Sequence, residues 1–300
     1  MFIFRGSVMF LIIHNPLSSN RKSRKKTKKI VRLFKKKNIQ FIVRSTLKIN
    51  DMHQYLDRRE YITDILLLGG DGSINYFINN VDVSKIKQRI HLAKSGSGND
   101  FLRSLKPLFS ADVSIGRAVL NQEKTVKFIN GCGLGFDGMV SHYVNNDNKK
   151  NKISYLINVF RSILHFDSQT IKVTIDGEEK LYHRAYIASI QNGRYFGGGM
   201  KAAPNADITS DSYEIIVVHN INKLLLQLLL MSIYPGWHRF IKKRIKILRG
   251  KNIQVEFPKP TYFQADGEVK ADINCIHVNA IDNRRFYAFT KNTFKKLERK

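Results

Sequence analysis

Two glycine-rich loops carry the residues best suited to chemistry in this 300-residue chain. The first, Gly69-Gly70-Asp71-Gly72-Ser73-Ile74-Asn75, joins a buried apolar run to a helical pattern. Glycines let backbone N–H groups approach phosphate oxygens, and a helix N-terminus adds partial positive charge. Because the Asp71 carboxylate would repel phosphate unless a cation intervened, its natural partner is Mg²⁺, bound directly or through water. A glycine-rich turn in which Asp71 caps the helix is the open alternative.

A second loop of this kind, Lys94-Ser95-Gly96-Ser97-Gly98-Asn99-Asp100-Phe101, follows the next apolar run. Either loop alone indicates only a turn, but two loops at neighbouring strand ends would face one cleft and describe a nucleotide site. The sequence contains no GxxxxGK[ST] motif, which excludes a P-loop enzyme, and no GxGxxG with a ribose-binding acid fits a dinucleotide fold.

A third candidate is the late acidic turn Asp266-Gly267-Glu268. Phosphoryl transfer needs positioning, charge neutralisation and a group that orients the nucleophile, and acids on a turn between strands could point into a cleft. An ordinary acidic hairpin is the alternative, because Asp176-Gly177-Glu178 repeats the same residues earlier in the chain. Residue types alone do not separate these two turns.

The surrounding elements predict an α/β domain followed by an all-β domain. Apolar runs at 8–13, 39–43, 65–68 and 90–93 alternate with amphipathic stretches, the order of an open parallel sheet with helices on both sides. From residue 126 strand signals follow one another, as in the alternation of Ile171, Val173 and Ile175, which predicts a β-sandwich interrupted by a helix at 222–233. We therefore expect domains at 8–125 and 126–282, with the C-terminal segment 283–300, which looks helical over 290–300, packing back onto the first domain.

Charge and apolar content bound the cellular context. The net charge is +27, with eleven Lys or Arg from Arg21 to Lys37 and no acid before Asp51. Such a surplus favours polyanionic partners, namely nucleic acid, anionic lipid or nucleotide, although a biased genome would give the same composition. The apolar run at 224–233 is too short to span a bilayer, which needs about 20 residues. Together with only two cysteines and no signal-peptide pattern, this predicts a cytoplasmic protein, soluble or peripheral to the membrane.

Taken in order, the motifs resemble the diacylglycerol kinase, sphingosine kinase and NAD kinase superfamily. The first loop is similar to its GGDGT signature, and residues 97–101 are similar to the GTxNDF element of the diacylglycerol kinase catalytic branch. The stretch 191–206 resembles that branch's NG-x-x-x-GGG-x-x-x-x-P-x-A motif, and residues 264–268 resemble its xDGE motif. Asn15-Pro16 with Ser18 resembles the opening NPxSG. Five elements in the same order are far more specific than any one of them.

The resemblance implies an N-terminal α/β nucleotide-binding domain, a C-terminal β-sandwich and an active site in the cleft between them. It implies ATP and Mg²⁺ as cofactors, with Asp71, and Asp100 beside it, organising the catalytic Mg²⁺ and Glu268 as the general base. It also implies a structural Mg²⁺ held by Ile208, Asp211 and Tyr213, the first and last through backbone oxygens. The implied ATP contacts are Asn15, Thr46, Gly69, Gly70, Asp71, Gly72, Ser73, Ile74, Asn75, Ser97, Asn99 and Asp100.

The chain departs from the family pattern at three places. Ser73 and Ser97 replace threonines but keep a hydroxyl, so we expect function to survive. Ser19-Asn20 replaces the glycine of NPxSG, and Asp211-Ser212 replaces an Asp-Gly, which puts the structural metal in doubt.

The resulting hypothesis is a lipid kinase that phosphorylates a lipid hydroxyl at an anionic membrane surface, with diacylglycerol as the first candidate substrate. The alternatives are a kinase of another lipid such as a sphingoid base, an NAD kinase, and a basic nucleic-acid-binding protein. No recognition motif supports the last, so we expect no specific nucleic-acid partner, and the sequence leaves a homodimer open.

Overall fold

The computed structural model describes residues 8–15, 22–95, 98–147, 152–233, 237–241, 243–290 and 293. These form two compact units. The first contains the described residues up to Val113 and those from Asn283 onward, and the second runs from Ser114 to Asp282. Ser97, Pro16, Ser18, Ser19 and most of the predicted helix 290–300 lie outside the described residues.

The first unit is a parallel sheet with intervening helices. Its strands lie in the order β2–β1–β3–β4, and residues 286–288 of a late strand add a further parallel partner beside β4. The order reverses direction between β1 and β3, the place where open α/β sheets bind ligands at the carboxyl ends of their strands. The elements are β1 Met9–His14, α1 Lys22–Lys36, β2 Gln40–Ser45, α2 Met52–Asp57, β3 Asp64–Gly69, α3 Asp71–Asn80, β4 Arg89–Lys94 and α4 Asp100–Leu105, with 3₁₀ turns at Thr46–Lys48, Val83–Lys85 and Lys106–Leu108.

Helix α1 shows how the basic run is accommodated. Phe34 is fully buried and meets Phe10 of β1 edge-on, with ring centroids 5.1 Å apart. Most of its lysines and arginines with described side chains are exposed. The run is therefore an amphipathic helix with a narrow apolar stripe, which docks on the sheet and leaves most of its positive charge in water.

The amino end of the sheet carries a buried ion-pair cluster. Asp64 begins β3 with no exposed surface, and its carboxylate accepts hydrogen bonds from Arg89 Nε at 2.8 Å and Arg89 Nη2 at 2.8 Å and contacts His91 Nε2 at 2.7 Å. Burial raises the pKa of Asp64, but the hydrogen bonds from His91, Arg89 and Thr63 outweigh it and hold the pKa below its ordinary value. These partners satisfy a charge that would be costly to leave unpaired, at the end of β3 opposite the glycine loop.

The second unit is a β-sandwich-like fold with three helices. Strands β12, β11, β10, β7 and β13 run side by side and antiparallel. Strand β13 changes partner along its length: residues 253–256 pair with β8, and residues 263–265 pair with β7. Its register shifts lie at Glu256/Thr261 and Thr261/Phe263 and flank Pro258 and Pro260, which lack the N–H that a regular ladder needs.

Around this bend the strands enclose one apolar core that includes Leu134, Ile190, Val217 and Phe263. The elements of this unit, the first and last of which extend into the first unit, are β5 Ser110–Leu120, β6 Lys124–Phe128, β7 Gly131–Gly135, α5 Phe136–Asn146, α6 Lys152–His165, β8 Gln169–Ile175, β9 Glu178–Ala185, β10 Ile187–Gln191, β11 Tyr213–Val218, α7 Lys223–Ile233, β12 Ile245–Gly250, β13 Ile253–Ala265 and β14 Glu268–Ala288, with a 3₁₀ turn at Trp237–Phe240.

The predicted fold class, α/β followed by a β-sandwich, is confirmed, but seven of the described helices and strands were not predicted: α4, β5, β7, α5, α6, β9 and β12. Helix α5 has a physical reason for escaping sequence reasoning. It contains Gly138 and several weak helix formers, so its intrinsic propensity is poor. A Cβ at Gly138 would lie 2.4 Å from the Tyr262 carbonyl oxygen, so this helix exists because it packs closely on β13. No helix in the described part of the chain is long and apolar enough to cross a membrane.

Candidate active site

The first glycine loop is a tight strand-to-helix turn. Strand β3 ends at Gly69, and α3 begins at Asp71. The N-cap residue is Gly70, so no side chain at that position caps the helix. A Cβ at Gly69 would lie 2.2 Å from Ser73 Cβ, so only glycine fits there. Gly72 is exposed, and a Cβ there would meet nothing within 4 Å. In this first turn the Asp71 and Ser73 N–H groups already donate to the Gly98 and Gly70 carbonyl oxygens, whereas the Gly72 N–H has no acceptor among the described residues. The Gly72 N–H is therefore the group left for an external acceptor, and a phosphate is the type of group that a helix start binds.

Asp71 joins the two glycine loops. Its Oδ2 accepts the Asp100 backbone N–H at 2.8 Å, and its Oδ1 accepts the Phe101 backbone N–H at 3.0 Å. The Asp71 N–H in turn donates to the Gly98 carbonyl oxygen at 3.2 Å. A Cβ at Gly98 would come within 2.9 Å of Asp71 Oδ2, so that glycine makes room for the carboxylate. The two loops that the sequence assigned to one cleft are thus in direct contact, and Asp71 caps α4 rather than its own helix.

The Asp71 carboxylate still fits a magnesium site. Each of its oxygens accepts one backbone N–H, and a carboxylate oxygen has two lone pairs. Magnesium prefers hard oxygen ligands and keeps several waters, so one carboxylate with ATP phosphates and water is an adequate donor set. No cluster of three metal-ligating side chains occurs among the described residues. Asp100 is buried, and one of its carboxylate oxygens accepts a hydrogen bond from Arg103 Nη1 at 3.2 Å, which partly neutralises its charge.

The other predicted ATP contacts in the described chain lie at three places. Asn15 follows β1 directly and Thr46 follows β2, so both lie at the same carboxyl edge as the glycine loops because these strands are parallel. Asn99 is the N-cap of α4. Ile74 and Asn75 are buried in α3, where the Asn75 carbonyl oxygen accepts a hydrogen bond from Asn79 Nδ2 at 2.9 Å.

Lys26 is a candidate that sequence reasoning missed. Its Nζ lies 3.4 Å from the carbonyl oxygen of Ser95, at the start of the second glycine loop. Its spacing from Ile30 and Phe34 places it on the stripe of α1 that faces the sheet. That spacing was the available signal within a run of eleven basic residues. Among the described side chains of α1, Lys26 is the positive charge that reaches the second glycine loop.

In the second unit, the turn that contains Glu268 is anchored by its aspartate. Asp266 and Gly267 have φ angles of 50° and 92°. The Asp266 carboxylate accepts the backbone N–H groups of Ile129 at 2.8 Å, Asn130 at 2.8 Å and Gly131 at 3.2 Å. Three charge-assisted hydrogen bonds therefore hold the turn against the segment that precedes β7.

The earlier turn with the same residues, Asp176-Gly177-Glu178, uses its aspartate in the same way. Asp176 and Gly177 have φ angles of 51° and 93°, and the Asp176 carboxylate accepts the N–H groups of Lys251 and of Asn252, the latter at 2.8 Å. The aspartate of each turn is therefore a structural anchor. Turn geometry does not distinguish Glu268 from Glu178, just as residue types did not.

The contacts of helix α5 do distinguish the two turns. Gly267 N–H donates to Gln264 Oε1 at 3.2 Å, and the Gly267 carbonyl oxygen accepts from Asn145 Nδ2 at 3.0 Å. Gln264 Nε2 in turn donates to Asp137 Oδ2 at 3.1 Å. Within the described chain no hydrogen bond to Gly177 is seen. Both the N–H and the carbonyl oxygen of Gly267, the residue before Glu268, are thus hydrogen-bonded to side chains, whereas those of Gly177 before Glu178 are not in the described chain.

Asp137 is a buried acid that the sequence reasoning missed. Burial raises its pKa to about 7, although hydrogen bonds from Gln264 and from the Gly138 N–H oppose the shift. A Cβ at Gly133 would lie 2.3 Å from Asp137 Oδ2, so a glycine in β7 makes the space for this carboxyl. The glycines that flank Asp137 in the run Gly135-Phe136-Asp137-Gly138 were the available signal.

The asparagine-glycine motif meets the Glu268 turn at residues 129–131. The Asn130 carbonyl oxygen accepts the N–H groups of Asn192 at 2.7 Å and Gly193 at 2.8 Å, while its own N–H is held by Asp266. The Asn192 side chain donates to the Ile129 carbonyl oxygen at 2.9 Å and to the Ser114 carbonyl oxygen at 2.8 Å. Two distant motifs therefore share one backbone segment.

Glu268 itself is exposed at the start of β14, and no described residue hydrogen-bonds or ion-pairs with its carboxylate. Such a carboxylate is available to a substrate hydroxyl. Asp71 and Glu268 belong to different units, and the expectation that they share a cleft stays a prediction.

The loop predicted to bind structural Mg²⁺ contains basic side chains. The Asp211 carboxylate pairs with Lys251 Nζ at 2.7 Å, and Arg249 Nε donates to Ser212 Oγ at 2.8 Å. The Ile208 carbonyl oxygen accepts the Ser114 N–H at 3.0 Å, and Tyr213 is buried as the first residue of β11. As described, this loop does not fit a divalent cation unless Lys251 withdraws, so the metal at Ile208, Asp211 and Tyr213 stays a prediction and carries no part of the function below.

Comparisons with known proteins define the class. Residues 9–130 match the family model described as the diacylglycerol kinase catalytic domain, and residues 131–280 match the YegS C-terminal NAD kinase beta sandwich-like domain. The two matches together show that the chain belongs to the diacylglycerol kinase catalytic-domain family. It is therefore a lipid-kinase-type enzyme.

Among curated relatives, the Bacillus subtilis (strain 168) protein named "Putative lipid kinase YtlR" is 27% identical over 237 residues, which cover 68% of this chain and 74% of that protein. A "Diacylglycerol kinase" of Mycobacterium tuberculosis (strain ATCC 25618 / H37Rv) is 23% identical over 219 residues, covering 68% and 70%. A solved structure described as "a putative diacylglycerol kinase from Bacillus anthracis str. Sterne" has a TM-score of 0.72 at 20% identity, covering 94% of this chain and 97% of that one. The structural likeness concerns the fold.

We expect Asp71→Ala to destabilise the first unit as well as impair the site. The substitution leaves the buried N–H groups of Asp100 and Phe101 without their acceptor, which costs about 1–3 kcal/mol. Urea unfolding measures the loss. Asp57→Ala is the matched control, because Asp57 is exposed and its carboxylate forms no hydrogen bond or ion pair with a described residue, so its change should stay within about 0.5 kcal/mol. Equal unfolding free energies for the two variants would contradict the capping role.

Asp137→Asn should change how stability depends on pH. With its folded pKa raised from 3.8 to about 7, the Asp137 carboxyl keeps its proton in the folded protein while the unfolded chain loses it. The wild-type free energy of unfolding therefore falls as pH rises from about 4 to about 7, by up to about 4 kcal/mol. The asparagine variant lacks this term, so its stability relative to wild type should rise over that range. Urea unfolding of both proteins at several pH values measures this difference in unfolding free energy. A difference that does not change with pH would rule out a raised pKa for Asp137.

Proposed function

We propose that this protein is an ATP-dependent lipid kinase that transfers the γ-phosphate to a lipid hydroxyl, with diacylglycerol as the substrate and phosphatidic acid as the product. The observation that carries the proposal is that two family models together span residues 9–280, while the motif residues within each unit contact one another. Diacylglycerol is preferred to other lipids because the Mycobacterium tuberculosis relative carries that name, whereas others are named only as lipid kinases.

The residues of the first unit would bind the nucleotide. The Gly72 N–H at the start of α3 would donate to a phosphate oxygen, and Lys26 would add positive charge beside the second loop. Asp71 would hold Mg²⁺, which when bound neutralises phosphate charge and stabilises the transferring group. Because the same carboxylate fixes the Asp100–Phe101 backbone, it would hold both loops in register around the phosphates.

Glu268 would take the proton from the lipid hydroxyl. A general base must be an ionised group with a free lone pair near the hydroxyl, and the Glu268 carboxylate is exposed and contacts no described residue. The Asp266 anchor and the Gln264 and Asn145 contacts to Gly267 restrict its backbone. A base whose backbone is restrained loses little conformational freedom when substrate binds. Such positioning of the reacting groups is a main contribution of the protein in phosphoryl transfer.

Radiolabel transfer tests the activity. The purified chain with Mg²⁺ and γ-labelled ATP should produce labelled phosphatidic acid from diacylglycerol micelles, separated by thin-layer chromatography. A sphingoid base, other neutral lipids and NAD serve as competing acceptors. A label found only in NADP or in a sphingoid phosphate would replace diacylglycerol as the substrate, and the absence of label from every acceptor would overturn the kinase proposal.

Glu268→Gln should lower kcat for the preferred acceptor by about 10²–10⁴-fold, the usual contribution of a general base, with little change in KM for ATP. The chain supplies a matched control in Glu178→Gln, which makes the same change on the look-alike turn and should leave kcat within about two-fold of wild type. Near-normal turnover by Glu268→Gln would remove this residue from the mechanism.

A further inference from the structure

Helices α6 and α7 of the second unit each bury one face and expose another apolar face. In α6, Val159 and Ile163 lie in the core, while Phe160 is exposed. In α7, Leu226 and Leu229 are buried. The exposed fractions are 64% for Leu164, 69% for Leu224, 60% for Leu228 and 66% for Trp237 of the adjoining 3₁₀ turn. A water-facing helix surface ordinarily carries polar residues, so these two faces are unusual for an isolated soluble domain.

The two faces form one surface. Helix α6 packs against α7, and α7 packs against the 3₁₀ turn Trp237–Phe240. Lys223 Nζ donates to the Leu164 carbonyl oxygen at 2.8 Å, which joins the start of α7 to the end of α6. We call this surface the α6–α7 patch; its members are Ile157, Phe160, Leu164, Leu224, Leu225, Leu228, Trp237 and Phe240.

The charge around the patch indicates what covers it. From residue 215 to residue 247 the sequence contains six Lys or Arg and no Asp or Glu, and α6 itself contains no acid. The exposed Asp167, which follows α6, lies 3.7 Å from Lys223 Nζ, which balances its charge. Arg161, Lys243 and Arg244 are exposed at or near the patch. Two copies of this surface facing each other would bring like charges together. An anionic bilayer instead offers negative headgroups to the basic side chains and hydrocarbon to the leucines.

We propose that the α6–α7 patch docks the protein on an anionic lipid bilayer, with the leucines inserted at the interface and the basic side chains at the headgroups. Helix α7, Lys223–Ile233, is 11 residues long and so rises only about 16 Å, which suits a helix lying in the interface rather than crossing it. Tryptophan also favours the membrane interface. The proposal rests on the proposed function in that a kinase of membrane lipids must reach its substrate there.

Vesicle binding tests the patch independently of catalysis. Trp237 is the only tryptophan of the chain, so its emission reports directly on this surface. With vesicles of phosphatidylcholine containing phosphatidylglycerol, wild-type emission should shift to shorter wavelength and the protein should co-sediment. Binding should fall at high salt and on vesicles of phosphatidylcholine alone, because the basic side chains then lose their partners.

The variant Leu224→Ser/Leu228→Ser should bind the anionic vesicles at least about ten-fold more weakly, since each leucine removed takes apolar area out of the interface. Leu164→Ser, on the other helix, should weaken binding in the same direction. The matched control is Leu108→Ser/Leu181→Ser, two exposed leucines on other elements, which should bind like wild type. Far-ultraviolet circular dichroism establishes that each variant is folded.

Three outcomes decide the matter. Undiminished binding by Leu224→Ser/Leu228→Ser would overturn the patch. If wild type fails to bind the vesicles but sediments as a dimer that Leu224→Ser/Leu228→Ser splits, then a second copy covers the patch and the lipid proposal is wrong. Turnover of a monomeric short-chain diacylglycerol separates the two proposals. If Leu224→Ser/Leu228→Ser loses vesicle binding but keeps this turnover, the result supports docking. If the wild type binds vesicles but shows no turnover, only the kinase proposal is overturned.

Discussion

Each of the two groups of motif residues, one in each unit, depends on a carboxylate that binds backbone N–H groups of a different loop. Asp71 holds the start of α4, and Asp266 holds residues 129–131. Hydrogen bonds between an ionised acceptor and a backbone donor are shorter and stronger than neutral ones, and they contribute about 1.5–3 kcal/mol each. The acidic residues of both motifs therefore assemble their loops before they take part in any chemistry.

Glycine is the second half of that constraint. Gly98 leaves space for the Asp71 carboxylate, Gly133 leaves space for Asp137, and Gly138 lets α5 approach Tyr262 closely. At each position a Cβ would come within 3 Å of its neighbour, so the acid and the glycine that accommodates it function as a pair. A replacement of either partner changes the geometry of the other, which explains why the chemistry-bearing residues occur in glycine-rich runs.

Positive charge is distributed according to what each basic segment can contact. In α1 most lysines and arginines face water, and Lys26 alone among them reaches the second glycine loop in the described chain. In the second unit, Arg249 and Lys251 hold the loop at 210–212, while other basic side chains lie near exposed leucines. One compositional excess thus supplies the edge that we propose to bind phosphate, a structural loop and the surface that we propose to meet anionic lipid.

The sequence by itself determined the fold class and the two glycine loops, because apolar periodicity and short motifs are local properties of the chain. Glu268 became the candidate base only through the order of five motifs that resembles the family, since the turn at 176–178 has the same residue types. Only the tertiary structure identified Asp137, Asn145 and Lys26, whose contacts join residues from 69 to 127 positions apart. It also showed that the turns at 176–178 and 266–268 share one geometry and differ in their contacts with α5. Such differences arise from packing between distant segments, and no local pattern of residue types encodes them.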